Sequence, residues 1–130
     1  MRVLLDTHCW LWVHAQPERL SPAARAVVED AGNHLFLSAA SAWEIAIKYA
    51  LGKLPLPVPP AEYVPSRMER ADTSALPVAH EHALRVATLP PHHRDPFDRL
   101  LVAQCQLERM RLLTTDPQFR PYDIEVIWAT

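Results

Sequence analysis

Glycine is nearly absent from this chain, with only Gly32 and Gly52 in 130 residues. Neither a phosphate-binding P-loop nor the glycine-rich turn of a dinucleotide fold can be written with so few, because both need closely spaced positions without a Cβ. Cysteine is as scarce. Cys9 and Cys105 lack the spacing of zinc ligands or of a disulfide framework, and read as reduced core residues of a cytoplasmic protein. No apolar run approaches the roughly 20 residues that a bilayer span requires, so no membrane partner is expected. The opening MRVLLDTHCWLW carries one base and an apolar stretch. Asp6 and His8 interrupt that stretch and no small-residue cleavage site follows, so it reads as a buried strand and not a leader. Positive charge is not in excess either: the formal net charge is −2, which gives no global attraction to nucleic acid. Any polyanion must be held locally.

What is present is the composition of a folded protein, 49% apolar and 22% charged, in a chain the size of one ordinary domain. The prolines cluster at 55–65 and 90–96 without a flexible linker, so residues 1–130 are expected to form a single domain. Short apolar runs recur at RVLL (2–5), HLFL (34–37), RLLTT (111–115) and IEVIW (124–128), with a weaker one at TSALPV (73–78). Runs of this kind suit strands buried on both faces. Helical patterns fall between them at 22–31, 41–51, 60–71, 79–87 and 96–109. The alternation predicts an α/β fold, a three-layer α/β/α sandwich on a parallel sheet of about five strands.

In such a sheet an acid that directly follows a strand lies at the carboxyl edge, where open α/β folds hold their ligands. Asp6 follows one run and Asp116 another, about a hundred residues later. Glu44 and Asp98 stand at helix starts, where an acid is expected anyway. SAWE at 41–44 has the spacing of a capping box, and DPFD at 95–98 puts Asp95 at the N-cap, Pro96 at the first helical position and Asp98 at the third. Local geometry therefore explains both pairs without any chemistry. If Asp6, Glu44, Asp98 and Asp116 converge, mutual repulsion prevents all four from staying ionised unless a divalent cation compensates them. An all-oxygen donor set suits Mg²⁺ or Mn²⁺, which can activate a water and neutralise charge on a phosphoryl group.

Four stretches, LLDTHCWLW, SAASAWEIAIKYALGKL, LPPHHRDPFDRLLVAQ and LLTTDPQFRPYDIEVIW, occur in this order over nearly the whole chain. In them the sequence resembles the PIN-domain ribonucleases, in particular the VapC toxins of type II toxin–antitoxin modules. The resemblance implies a PIN-like fold and a Mg²⁺-dependent endoribonuclease that leaves 5′-phosphate and 3′-hydroxyl ends. It implies Asp6, Glu44, Asp98 and Asp116 as the acidic metal site, an RNA substrate, homodimer formation and inhibition by a cognate antitoxin. Thr7 and Thr114 match positions near that site, where a hydroxyl can orient a carboxylate or simply bond to backbone. The chain departs from the family pattern at Gln118, where a further acid is common, and that bears on whether one cation is held or two. The glycine common before the following strand is replaced by Arg109, Met110 and Arg111.

His92, His93, Arg94 and Arg99 surround Asp98 in sequence, and Lys48 lies one turn after Glu44. These five are candidates for a local phosphate rim, with an ordinary solvated loop, or for Lys48 an ion pair with Glu44, as the alternative. His80 and His82 cannot face one way on a helix and are read as structural. Trp10, Trp12 and Trp43 are read mainly as core, with an interface role open for one of them. Two rival functions stand beside the nuclease. One is a catalytically silent PIN-like module that binds RNA or protein; the other is a phosphotransfer protein with Asp6 as acceptor, for which the D-x-D element is broken by His8.

Overall fold

The computed structural model describes residues 1–130. In chain order it has β1 (Arg2–Leu5), α1 (Thr7–Ala15), α2 (Pro22–Glu29), β2 (His34–Ser38), α3 (Ala39–Ala50), α4 (Pro60–Arg70), β3 (Thr73–Leu76), α5 (His80–Arg85), α6 (Pro96–Glu108), β4 (Arg111–Thr114) and β5 (Val126–Trp128). Short 3₁₀ turns occupy Pro17–Arg19, Val86–Thr88 and Pro117–Phe119.

The five strands form one sheet in the order β3-β2-β1-β4-β5, and every pairing is parallel. The central strands β1, β2 and β4 are buried beyond their first residue because both faces are covered, whereas the edge strands β3 and β5 are only partly buried. Val3, Leu5, Leu35, Leu37 and Leu113 point into one core with Trp10, Ala24, Ile45 and Tyr63 from α1 to α4. The alternate residues Leu4, Phe36 and Leu112 point into a second core with Leu101, Val102 and Cys105 of α6. Two cores on opposite faces of one sheet make the three-layer sandwich that the alternating pattern predicts. The strand order reverses direction between β1 and β4, so the crevice above their carboxyl ends is the topological switch point at which open sheets bind ligands.

The reading of residues 1–12 as one strand is corrected: the chain turns at Asp6, and Thr7–Ala15 is helical. This helix is apolar around most of its circumference, so it carries no 3.6-residue stripe that would distinguish it from a buried strand. Its start is fixed by the Asp6 carboxylate, which accepts from the Cys9 N–H at 2.7 Å. The capping box expected at Ser41 and Glu44 is also corrected. β2 runs straight into α3 without a loop, Ser38 is the N-cap and accepts from the Ala40 N–H at 3.0 Å, and Ser41 and Glu44 lie inside the helix. At the other boundaries the strand at 124–128 shortens to Val126–Trp128 and the helix at 79–87 tightens to a 3₁₀ turn after Arg85. Cys9 and Cys105 are buried free thiols, as expected, and no helix is long and apolar enough to cross a membrane.

The missing glycine leaves a mark where α6 ends. Arg109 occupies the left-handed region at φ 55°, a conformation glycine adopts without steric cost and other residues do not. Arg109→Gly is expected to raise stability by about 1 kcal/mol, read as a higher urea midpoint with an unchanged slope.

Candidate metal centre

Asp6 and Asp116 reach the switch point from the ends of β1 and β4, and one hydroxyl joins them. Thr114, fully buried at the end of β4, donates a short hydrogen bond to Asp6 Oδ2 and accepts from the Asp116 N–H at 3.1 Å. Asp6 is thereby held through both oxygens, one on the Cys9 amide and one on Thr114.

Glu44 comes in from α3 and is 3% exposed. The Thr7 hydroxyl, one residue beyond Asp6, donates to Glu44 Oε1 at 2.7 Å and lies 2.9 Å from Ser41 Oγ. Lys48, one helical turn on, binds the other Glu44 oxygen at 2.6 Å. Both threonines thus orient carboxylates. Ser41 is a residue of this network that the sequence reading assigned to a cap; the signal that places it here is its spacing of three from Glu44, which puts both on one helix face.

Asp98 enters from the first turn of α6. Asp95 is the N-cap and accepts from the Phe97 and Asp98 amides at 2.8 and 3.2 Å, which leaves the Asp98 side chain free to point out of the helix start. Asp98 Oδ2 lies 2.9 Å from His93 Nε2, and Asp116 Oδ2 lies 3.2 Å from the same nitrogen. Thr114 thus ties Asp6 to the Asp116 backbone, and His93 ties Asp116 to Asp98. Burial, followed by the charges of Asp95, Glu44, Asp6 and Asp116, pushes the Asp98 carboxyl up to about 8. Burial raises Asp6 as well, against the opposing hydrogen bond from Thr114.

The expected rim divides. Arg94 and His92 are exposed, and Lys48 is 40% exposed beside Glu44. His93 and Arg99 are corrected: neither belongs to a rim. His93 is 7% exposed and sits between Asp98 and Asp116. Arg99 turns inward, where its guanidinium donates to the carbonyls of Val86, Leu89, Pro90 and His93 and to the Tyr122 hydroxyl, at 3.0–3.4 Å. The physical reason is that the loop after Val86 curls over the start of α6 and turns several carbonyls toward one point, where a planar guanidinium reaches them together.

Other histidines and tryptophans are structural or surface features. His82 is buried, 2.8 Å from Glu108 and accepting from the Ala79 N–H, while His80 is exposed. Trp10 is core, but Trp43 is 62% exposed with its ring packed edge-on against Phe97 at 5.2 Å, so its reading as core is corrected. The largest surface cavity, about 520 Å³, lies at the amino ends of the strands against Met1, Arg2 and Arg111 and contains none of the four acids.

Four carboxylates with one ion-paired base among them, Lys48, fit a divalent cation. In the cation's absence Asp98 retains its proton to high pH, and the donor set is one of hard oxygens.

A parallel sheet in this order with an acidic cluster at its switch point defines the architecture of the PIN domain, and the sequence matches that family over residues 3–125. The chain belongs to the PIN domain family. Within it the chain is homologous to VapC ribonucleases of Mycobacterium tuberculosis: it is 32% identical to Ribonuclease VapC22 over 120 residues, 92% of this chain and 91% of that protein. It is 56% identical to Ribonuclease VapC16 over 72 residues, a match that spans 53% of this chain and only 51% of VapC16. The fold is similar to VapBC2 from Rickettsia felis bound to a promoter DNA fragment, with a TM-score of 0.71 at 13% identity over the whole of both chains. It is also similar to DNA-bound VapBC from Salmonella typhimurium, with a TM-score of 0.69 at 15% identity over 98% of this chain and 97% of that one.

Proposed function

We propose that this chain is the toxin of a toxin–antitoxin pair, an endoribonuclease that hydrolyses RNA with a divalent cation held by Asp6, Glu44, Asp98 and Asp116, directly or through water. The observation that carries the reading is the hydrogen-bonded network at the β1/β4 switch point, in which Thr114 ties Asp6 to the Asp116 backbone, Thr7 holds Glu44 and His93 spans Asp98 and Asp116, in a chain homologous to VapC ribonucleases. Hard carboxylate oxygens favour Mg²⁺, with Mn²⁺ as an alternative. When bound, such a cation supplies an activated water and neutralises charge at the phosphoryl group under attack.

The chain's own residues prepare that site. Thr114 fixes the Asp6 carboxylate, Thr7 and Lys48 fix Glu44 from either side, and the Asp95 cap sets the first turn of α6 from which Asp98 projects. Arg94, His92 and Lys48 are the exposed bases through which RNA phosphates would be positioned, since contacts of this kind hold a backbone without reading sequence.

By the family resemblance, the antitoxin partner inhibits by placing its tail in the acidic groove. A second copy of the chain fits the exposed apolar side of α3, where Ala39, Trp43, Ala46 and Ala50 lead to Leu51. Such a homodimer doubles the solution mass from 14.8 kDa, as light scattering reads directly.

Purified chain freed of antitoxin is expected to cleave RNA in Mg²⁺ or Mn²⁺, to stop on addition of EDTA and to recover when the cation is returned. If the antitoxin-free, folded chain leaves RNA intact with either cation, the silent binding module takes the place of this reading.

A further inference from the structure

His93 is the one nitrogen that touches two of the four acids, and its surroundings fix which of its ring atoms carries the proton. The backbone N–H of Asp95 points at His93 Nδ1 from 3.2 Å. An amide N–H can only donate, so Nδ1 must supply a lone pair, and the proton of the neutral ring sits on Nε2. Nε2 in turn faces two carboxylate oxygens, Asp98 Oδ2 at 2.9 Å and Asp116 Oδ2 at 3.2 Å. An unprotonated carboxylate oxygen can only accept, and a carboxyl that carries its proton on the other oxygen accepts there too. Both ends of the ring therefore call for the same tautomer.

The ring is also held in place independently of the acids. The His93 N–H donates to the Tyr122 hydroxyl at 2.9 Å, its carbonyl accepts from Arg99, and Phe119 packs edge-on at 5.5 Å. The imidazole is a fixed donor presented to two side chains that reach it from different parts of the fold, the start of α6 and the end of β4.

We propose that His93 is a positioning residue: its Nε2–H spans Asp98 and Asp116, sets the spacing of these two carboxylates for a divalent cation, and remains a hydrogen-bond donor, not a ligand, once the cation is bound. This rests on the cation reading given above. To act as a ligand, His93 would have to offer the Nε2 lone pair and move its proton to Nδ1, where it would meet the Asp95 N–H head on. The residue that caps α6 with its carboxylate thus also fixes the imidazole with its amide. The first shell then stays all-oxygen, and the site keeps its preference for hard cations over Zn²⁺ or Ni²⁺. Hydrogen-bond partners of this kind orient ligands, and their removal commonly costs 10–100-fold in metal affinity.

The test has two independent readouts. In nitrogen-resolved NMR of the histidine rings, His93 is expected to show the Nε2-protonated neutral tautomer in the metal-free chain and to keep that proton when saturated with Mg²⁺. By calorimetry with Mn²⁺, His93→Leu is expected to bind about 10–100-fold more weakly, and His93→Gln, whose amide N–H reaches a similar point, to recover most of the loss. Loss of the Nε2 proton on Mg²⁺ saturation would overturn the proposal in favour of a ligand. Equal Mn²⁺ affinity in wild type and His93→Leu would make the residue a bystander and overturn it too. A folded wild-type chain that binds no Mn²⁺ removes the cation reading itself, and this role with it; the NMR measurement needs no variant to fold.

Discussion

Asp98→Asn is expected to abolish metal-dependent RNA cleavage, by ~100-fold or more, and at the same time to make the metal-free chain more stable. The loss follows from removing one of four charges that hold the cation, whose stabilisation of a phosphoryl group is worth several kcal/mol at 1.36 kcal/mol per decade of rate. The gain follows from the same crowding. The folded chain keeps the Asp98 proton up to about pH 8, whereas the unfolded chain releases it near 3.8. Across that window the native state binds more protons, so the stability of the metal-free protein falls as pH rises and is lowest above the folded value. An amide in this place carries no charge to desolvate and can still accept from His93 Nε2. Thermal unfolding in EDTA is expected to show the wild type losing stability from pH 5 to pH 8, the variant losing less, and a gap at pH 8 on the order of 2 kcal/mol. Mg²⁺ should then stabilise the wild type and not the variant. A variant that is inactive because it is unfolded, or one that cleaves normally, would remove Asp98 from the site. The neighbouring Asp95 behaves differently, because one oxygen of its carboxylate caps two backbone amides of α6, although its charge also bears on Asp98.

Arg99→Ala is expected to have a large effect on the fold, about 3 kcal/mol, or roughly 12 °C in the melting midpoint. Four backbone carbonyls and the Tyr122 hydroxyl share that guanidinium. Without it Val86 O, Pro90 O and the Tyr122 hydroxyl keep the amides of Leu89, His92 and His93, while the carbonyls of Leu89 and His93 lose their partner at a partly buried site. Arg99→Lys should restore little, since one ammonium cannot reach five acceptors spread around a planar fork. The clamp also anchors the carbonyl side of His93, so cleavage should fall together with stability. If instead RNA affinity drops while the melting midpoint stays put, Arg99 is a phosphate contact after all and its hydrogen bonds to the loop are incidental.

The parts of this protein that were legible in the sequence are those governed by short-range pattern. Runs such as VLL and LLT declare buried strands, and an acid immediately after each run declares the edge, so Asp6 and Asp116 could be placed from spacing alone. Asp95 and Pro96 announce the start of α6, and the cap then assigns itself to Asp95. What could not be read depends on contacts without a period. The helix at Thr7–Ala15 is apolar on nearly every side, and its tryptophan-rich sequence looks like a strand until the Asp6 carboxylate is seen capping it. Ser38 rather than Ser41 caps α3 because the strand before it ends without a loop, a fact of connection and not of composition. Arg99 and His93 sit in a run of bases that resembles a solvated rim; only the curl of the loop turns them inward.

The order of the strands has a consequence for how the protein comes into being. Asp6 takes its hydrogen bond from Thr114, 108 residues later, and the fourth acid follows at Asp116. The cluster therefore cannot form until β1 has paired with β4, and an amino-terminal fragment ending before β4 carries no complete site.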